Sequence, residues 1–441
     1  MTGATGRFAA ALAVVLFVQP LHARELHTRL EGECGGLPRL DIGTVHGMCA
    51  GLVLGPTRQD RTRPIRLPRS LLQLSKTEWL VSDLGAWDRP RGAVWKLTLQ
   101  PGREPEAVRL LGDLHVPHAL ARGPDGRVYV GEMSRIIRFD PASPDPAASI
   151  ELVIPGLPDN ALHLHRHPLS KFVFAPDGAL LVNVGALSDQ CTDEQGNAAA
   201  PRCTESETGE HAASIRRYEA VGPGEWSPDY TVYAKGLRNS VALAVHPSGT
   251  VVQAENSFDL PTRWSPFEEL NVIEAGRHYG WPYCMDIATP APAWRSGTAM
   301  DCRGSAHTAP RVLLPPHAAP LDLLWYEGEM FPALHGRMLM TFHGHRSVGG
   351  RIVSFAVDGD GVPIADRNAR FHYYGGGSRA YGAGPAATPV TLTPGWGLRK
   401  GRRPQGSPVG LAVAHDGAIW ATDDRAGLII RFAKDEAAPA P

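Results

Sequence analysis

Six times along this chain a turn leads into a short apolar strand that ends on a small or acidic residue. The segments are Glu78–Asp83, Arg127–Glu132, Ala179–Val184, Thr250–Glu255, Arg337–Phe342 and Ala418–Asp423. Three follow Pro124-Asp-Gly126, Pro176-Asp-Gly178 and Pro247-Ser-Gly249, and His415-Asp-Gly417 is a fourth variant. Glycine reaches positive φ without steric cost, so these turns join antiparallel strands. A second apolar strand often comes next: Gly92–Leu97, Arg135–Phe139, Ser214–Tyr218, Gly350–Phe355 and Gly427–Phe432. A unit of this kind cannot bury both faces alone and must stack on its neighbours. The repeat predicts an all-β chain folded as a six-bladed β-propeller. Equivalent positions lie 49 residues apart at 79 and 128 but 87 apart at 251 and 338. A minimal four-stranded blade needs roughly 40 to 50 residues, so the surplus forms long inter-strand insertions in repeats three to five. A pair of β-sandwiches is the competing arrangement.

Composition agrees with many short strands. Gly 48 and Pro 39 supply turn formers throughout the 441 residues, without a collagen period. With 43% hydrophobic and 20% charged residues the chain can bury a core, which excludes global disorder. Lys+Arg 44 against Asp+Glu 45 leaves a net charge of -1, which argues against a nucleic-acid partner.

Residues 1–23 read as an export signal: Arg7, an apolar run from Phe8 to Val18, Pro20, and a cut after Ala23. No later stretch looks transmembrane. The expected organisation is a signal peptide at 1–23, one propeller over 24–433, and a disordered Ala- and Pro-rich tail at 434–441, in a periplasmic or secreted protein. Cys34/Cys49, Cys191/Cys203 and Cys284/Cys302 form three sequence-local pairs, the layout of disulfides in an oxidising compartment. Six cysteines allow about 15 pairings, and proximity favours this one. No CxxC or CxxCH occurs, so a zinc ribbon, a thioredoxin-like centre and covalent haem lack support.

Chemistry concentrates in three segments. In Asp159–His167 the histidines at 163, 165 and 167 alternate, so an extended chain sets them on one face. His163, His165 and His167 could bind a metal, or one of them could act as a base, since imidazole titrates near neutrality. Surface histidines in a polar loop are the plainer reading. Gly236-Leu-Arg-Asn239 could aim a guanidinium and an amide at a carboxylate or quinone oxygen, though Arg-Asn is usually a turn. Glu268–Pro282 combines strand-like alternation with a rigid Gly280-Trp-Pro282 corner, whose plainer role is packing.

Together these segments resemble the glucose/sorbosone dehydrogenase family, pyrroloquinoline quinone (PQQ)-dependent sugar dehydrogenases built as six-bladed propellers. The likeness runs from Cys49 to Phe432. It rests on Cys49-Ala-Gly-Leu-Val53, His167 nine residues before Pro176, Gly236-Leu-Arg-Asn239, Glu255-Asn256 and Glu269–Cys284. His343-Gly-His-Arg346, Pro408–Val413 and Asp423-Asp424 complete it. It is closer to the sorbosone-dehydrogenase-like branch. The resemblance implies that His167 is the base taking the hydroxyl proton at the sugar's anomeric carbon. It implies that Arg238 stands at the reactive quinone carbonyl, with Asn239 a cofactor contact. Backbone carbonyls of Ser257 and Phe258 would hold the calcium that clamps the cofactor. Lys171, Arg346 and Arg351 are candidates for the cofactor's carboxylates. His163 and His165 are left without a role. The implied electron acceptor is separate, a cytochrome c or a quinone.

Two positions depart from that pattern. Ala186 stands where the glucose dehydrogenases carry an aspartate, leaving Asp159 or Asp189 to orient His167. Ser257-Phe258 replaces a Gly-Pro. Two other classes compete: a six-bladed lactonase-like hydrolase, which needs converging acidic metal ligands, and a non-catalytic propeller binding a partner or glycan. Fold alone does not choose among them.

Overall fold

The structure is a computed structural model that describes residues 26–437, except 88–89, 160–165, 199–200, 210, 296–298, 345, 347, 376–377 and 397–404. The signal segment, His163 and His165 lie outside the described residues. All six repeated segments are second strands of antiparallel sheets, and the sheets form a six-bladed β-propeller. Blade 1 runs Pro68–Gln73, Glu78–Asp83, Gly92–Thr98, Glu106–Leu114. Blade 2 runs Leu120–Arg122, Val128–Gly131, Ile136–Phe139, Glu151–Ile154. Blade 3 runs Phe172–Phe174, Leu180–Val184, Ser214–Gly222, Glu225–Lys235, and blade 4 Ala242–Val245, Val251–Glu255, Glu268–Val272, Val312–Leu314. Blade 5 runs Pro320–Trp325, Met338–Phe342, Arg351–Phe355, Val390–Thr391.

Blade 6 closes the ring. Its first three strands, Pro408–Val413, Ile419–Asp423 and Leu428–Lys434, come from the end of the chain, and Met48–Leu54 pairs on as the fourth. The hairpin Arg29–Cys34/Leu37–Leu40 extends this sheet and is tied to it by Cys34–Cys49. At the chain's other end Lys434 pairs with Met48 and Asp435 holds Arg39 at 2.6 Å.

The repeated strand ending has a physical reason. Its last residue is an acid in four blades, and the carboxylate accepts backbone N–H groups from the segment entering the same blade. Asp83 takes Leu67 at 2.8 Å, Glu132 takes His115 at 2.7 Å, Glu255 takes Arg238 at 2.8 Å and Asp423 takes Ser407 at 2.9 Å. The residue before it bridges to the next blade. The Ser82 hydroxyl donates to His118 O at 2.6 Å, Thr341 to Val409 O at 2.9 Å and Thr422 to Arg69 O at 2.6 Å. Buried backbone groups at the seams are thereby satisfied, each bond worth about 1 kcal/mol net. Above the seams, Leu84, Val116, Met133, Leu169, Val241, Leu321 and Val409 form one apolar cluster drawn from every blade. The core is thus distributed between blades, with this ring across the axis.

All three expected disulfides are present: Cys34–Cys49, Cys191–Cys203 and Cys284–Cys302. The last two close insertions in blades 3 and 4 that pack on each other. Trp281, Tyr283 and Trp294 share a small core with Ala186 and Phe258. The Trp281 indole donates to Asp189 O at 3.0 Å and the Trp294 indole to Gln190 O at 3.1 Å. The Gly-Trp-Pro corner is therefore packing, and what it packs is a loop above blade 3. No helix among the described residues is long and apolar enough to cross a membrane.

Candidate functional site

The second-strand ends and the segments entering each blade meet on one face of the propeller, and the predicted residues lie there. His167 is 8% exposed, in the segment entering blade 3. It rests against Gly185, where a Cβ would sit 2.4 Å from His167 O and 2.6 Å from its Cβ, so the position demands glycine. The His167 Nδ1 lies 2.7 Å from Ala186 O. A carbonyl only accepts, so Nδ1 carries a proton. The N–H of the same Ala186 donates to Arg238 O at 2.7 Å. One residue thus ties the predicted base to the predicted arginine. Of the two acids that could substitute for the missing aspartate, Asp159 lies 3.9 Å from His115 and Asp189 binds Arg238.

Arg238 is 2% exposed. It follows Gly236, whose φ of +75° and contact with His278 (2.3 Å from a built Cβ) again exclude a side chain. Its guanidinium donates to Asp189 Oδ1 at 2.6 Å and to Asn256 O at 2.8 Å, and pairs with Asp259 at 3.2 Å. Next to it, Asn239 Oδ1 is buried with no hydrogen-bond partner among the described residues. The Ser257 N–H donates to Glu268 Oε2 at 2.5 Å, and Phe258 O accepts Leu260 N at 2.9 Å. Burial raises the Glu255 carboxyl, and it raises Glu268 to about 7 even though Glu268 accepts from Ser257 and Ala319.

A second set of charges lies close to the axis. Lys171 pairs with Asp322 at 3.0 Å. Asp424 holds Arg69 at 2.5 Å and His343 at 3.0 Å. Burial alone would raise Asp424, but His343 and Arg69 bring it down to about 2. His118 is driven well below its usual range by burial and by the Arg69 and Lys171 charges. It accepts from Arg69 Nε at 3.3 Å, as a neutral ring can. Arg69, His118 and Asp322 escaped the sequence reading. The available signal was a charged residue inside an apolar strand, as in Pro68-Arg-Ser-Leu-Leu. The acids that a central-metal hydrolase would need, Asp322 and Asp424, are bound to these cations. The close ligand-type trio Cys191, Cys203 and Glu205 has its two sulfurs joined in a disulfide.

The structure does not bring every predicted residue to one contact set. Arg351 opens a blade 5 strand, with its Nε 3.3 Å from Gly349 O and its pKa lowered by burial. Arg346 lies close enough to His317 to add to the burial that lowers that histidine's pKa.

Among solved structures, the Trichoderma reesei carbohydrate-active enzyme of family AA12 matches with a TM-score of 0.61 and 22% identity, over 89% of this chain and 98% of that one. The PQQ domain of Coprinopsis cinerea pyranose dehydrogenase gives a TM-score of 0.62 at 18% identity, over 91% and 100%. The PQQ-bound aldose sugar dehydrogenase of Streptomyces coelicolor gives 0.52 at 17%, over 89% and 100%. At these identities the likeness establishes the shared propeller. An uncharacterized Borreliella burgdorferi protein is 28% identical over 215 residues, 45% of this chain and 48% of that protein, so the match spans about half its length. A family profile described as TrAA12-like matches residues 64–374, well over half of the chain, and covers blades 1 to 4 and the first three strands of blade 5. This chain belongs to the TrAA12-like family.

Proposed function

We propose that this protein is an exported PQQ- and calcium-dependent dehydrogenase that oxidises an aldose, or a related aldehyde such as sorbosone, and passes the electrons to a separate acceptor. The observation that carries this reading is the Ala186 bridge, in which one residue accepts from the Nδ1-protonated His167 through its C=O and donates through its N–H to the backbone carbonyl of the buried Arg238. The propeller neighbours from Coprinopsis and Streptomyces, described as PQQ proteins, support it.

The residues suit such a cofactor. A flat tricarboxylate quinone calls for cationic donors, and Arg238, Lys171 and Arg69 are gathered on this face. The unpartnered Asn239 Oδ1 offers an acceptor for a ring N–H. The carbonyls of Ser257 and Phe258 retain lone-pair capacity for calcium, with the Glu268 carboxylate behind them. Bound PQQ would supply a two-electron acceptor for the hydride leaving the sugar's anomeric carbon. His167 Nε2 would take the hydroxyl proton from that carbon as general base. Ala186 O fixes the ring and stabilises the imidazolium that results, a weaker partner than a carboxylate. Arg238 holds positive charge where negative charge develops. The three disulfides agree with folding in an oxidising compartment.

The test is dye reduction by the mature protein reconstituted with PQQ and calcium, offered a panel of aldoses and sorbosone, with cofactor-free and chelated controls. Cofactor-dependent reduction establishes the class. Absence of both reduction and any PQQ-induced rise in melting temperature overturns it in favour of a binding propeller.

A further inference from the structure

Arg238 carries two carboxylates whose settings differ. The Asp189 side chain is 20% exposed and that of Asp259 is 61% exposed. Asp189 is anchored by its backbone, since its carbonyl accepts the Trp281 indole at 3.0 Å and Arg238 Nε at 3.3 Å, two residues before the Cys191–Cys203 bridge. Its Oδ1 accepts both Arg238 at 2.6 Å and the Asp259 N–H at 3.0 Å. Asp259 has the longer contact with Arg238, 3.2 Å, and a second cation nearby, the half-exposed Arg166 at 3.5 Å. One carboxylate is built in, whereas the other can move from Arg238 toward Arg166 without losing a charge partner.

We propose that these carboxylates divide the work on Arg238: Asp189 is a positioning residue that fixes the guanidinium, and Asp259 occupies the face that an anionic ligand takes. An incoming carboxylate or oxyanion exchanges with Asp259, which passes to Arg166, while Asp189 keeps Arg238 aimed. The inference deepens the dehydrogenase reading and rests on it for the identity of the ligand. The exchange itself requires only an anion at Arg238.

The experiment compares wild type, Asp259→Asn and Asp189→Asn. On the cofactor-free protein, phenylglyoxal modification of Arg238 is followed by peptide mass mapping. PQQ affinity in the presence of calcium is then titrated by tryptophan fluorescence, and kcat and KM are measured on the sugar panel. Losing an exposed competing ion pair should quicken Arg238 modification and tighten PQQ binding by about 2- to 5-fold. Asp189→Asn keeps the backbone anchors, so melting temperature should hold. A part-buried charge-assisted bond is lost, however, and kcat should fall about 10- to 100-fold with a smaller change in KM. Slower or unchanged modification of Arg238 in Asp259→Asn overturns the exchange, as does weaker PQQ binding. Equal losses in kcat and stability in Asp189→Asn overturn the positioning role. Faster modification without PQQ binding by any of the three proteins supports the exchange and refutes the PQQ reading, so the two failures are distinguishable.

Discussion

His167 donates its Nδ1 proton to the backbone carbonyl of Ala186 at 2.7 Å. A main-chain acceptor orients an imidazole without adding a charge, so the tautomer no longer depends on an acidic side chain at that position. The departure from the resembling family at Ala186 thus leaves the proposed base with a backbone partner. Asp189, one of the two acids that could substitute there, binds Arg238.

The first prediction concerns His167 itself. His167→Ala should lower turnover about 10²- to 10⁴-fold, the usual contribution of a positioned base. The rise in melting temperature on adding PQQ and calcium should be largely retained, because cation and amide contacts bind the cofactor. Full activity in this variant would show that the proton leaves by another route.

Gly185→Ala tests the support beneath the base. The new methyl would meet His167 O at 2.4 Å, and neither backbone can retreat without disturbing the end of Leu180–Val184. Overpacking of this kind costs about 1–3 kcal/mol. Thermal unfolding should show that loss together with reduced turnover, whereas unchanged activity would mean that His167 tolerates displacement.

Much of this fold is legible in the repeat. Each second strand appears where its apolar run and turn place it, and the acidic ending, noticed first as a pattern, proves to be the acceptor for the segment entering its blade. Alternation reveals a sheet's faces because side chains alternate with period two. Arg238 and His167 are legible only through resemblance. Their shared bridge is not, since Ala186 acts through backbone atoms that any residue carries. The Arg69–Asp424–His343 group is equally hidden: its members are 355 and 81 positions apart, and only ring closure brings blade 1 to blade 6.

That group sets an acid limit on stability. The Asp424 carboxyl is held near about 2 by His343 and Arg69 against its burial, below its ordinary 3.8. A depressed acid contributes stability that is complete above its unfolded pKa and is lost as pH falls through its folded one. Here that window runs from roughly pH 4 down to 2, and the contribution is about 2 kcal/mol. Wild type should therefore lose stability more steeply than Asp424→Asn over that window in denaturant melts. At pH 7 the variant should be the weaker protein, because Arg69 is left buried without its charge partner. Parallel acid limbs for the two proteins would remove Asp424 from this role.

The disulfides separate stability from site geometry. Cys34–Cys49 and Cys191–Cys203 close loops of 15 and 12 residues, so each contributes about 3 kcal/mol on the chain-entropy argument. Their surroundings differ. The first ties the outer hairpin of blade 6, whereas the second closes the insertion that carries Asp189 to Arg238 and packs beside Ala186. Replacing either pair by serine should lower the melting temperature by a similar amount. Only Cys191→Ser/Cys203→Ser should also reduce kcat of the reconstituted protein, measured well below both melting temperatures. If the two double variants lost activity equally, the blade 3 insertion would be a stabilising loop with no part in holding Arg238.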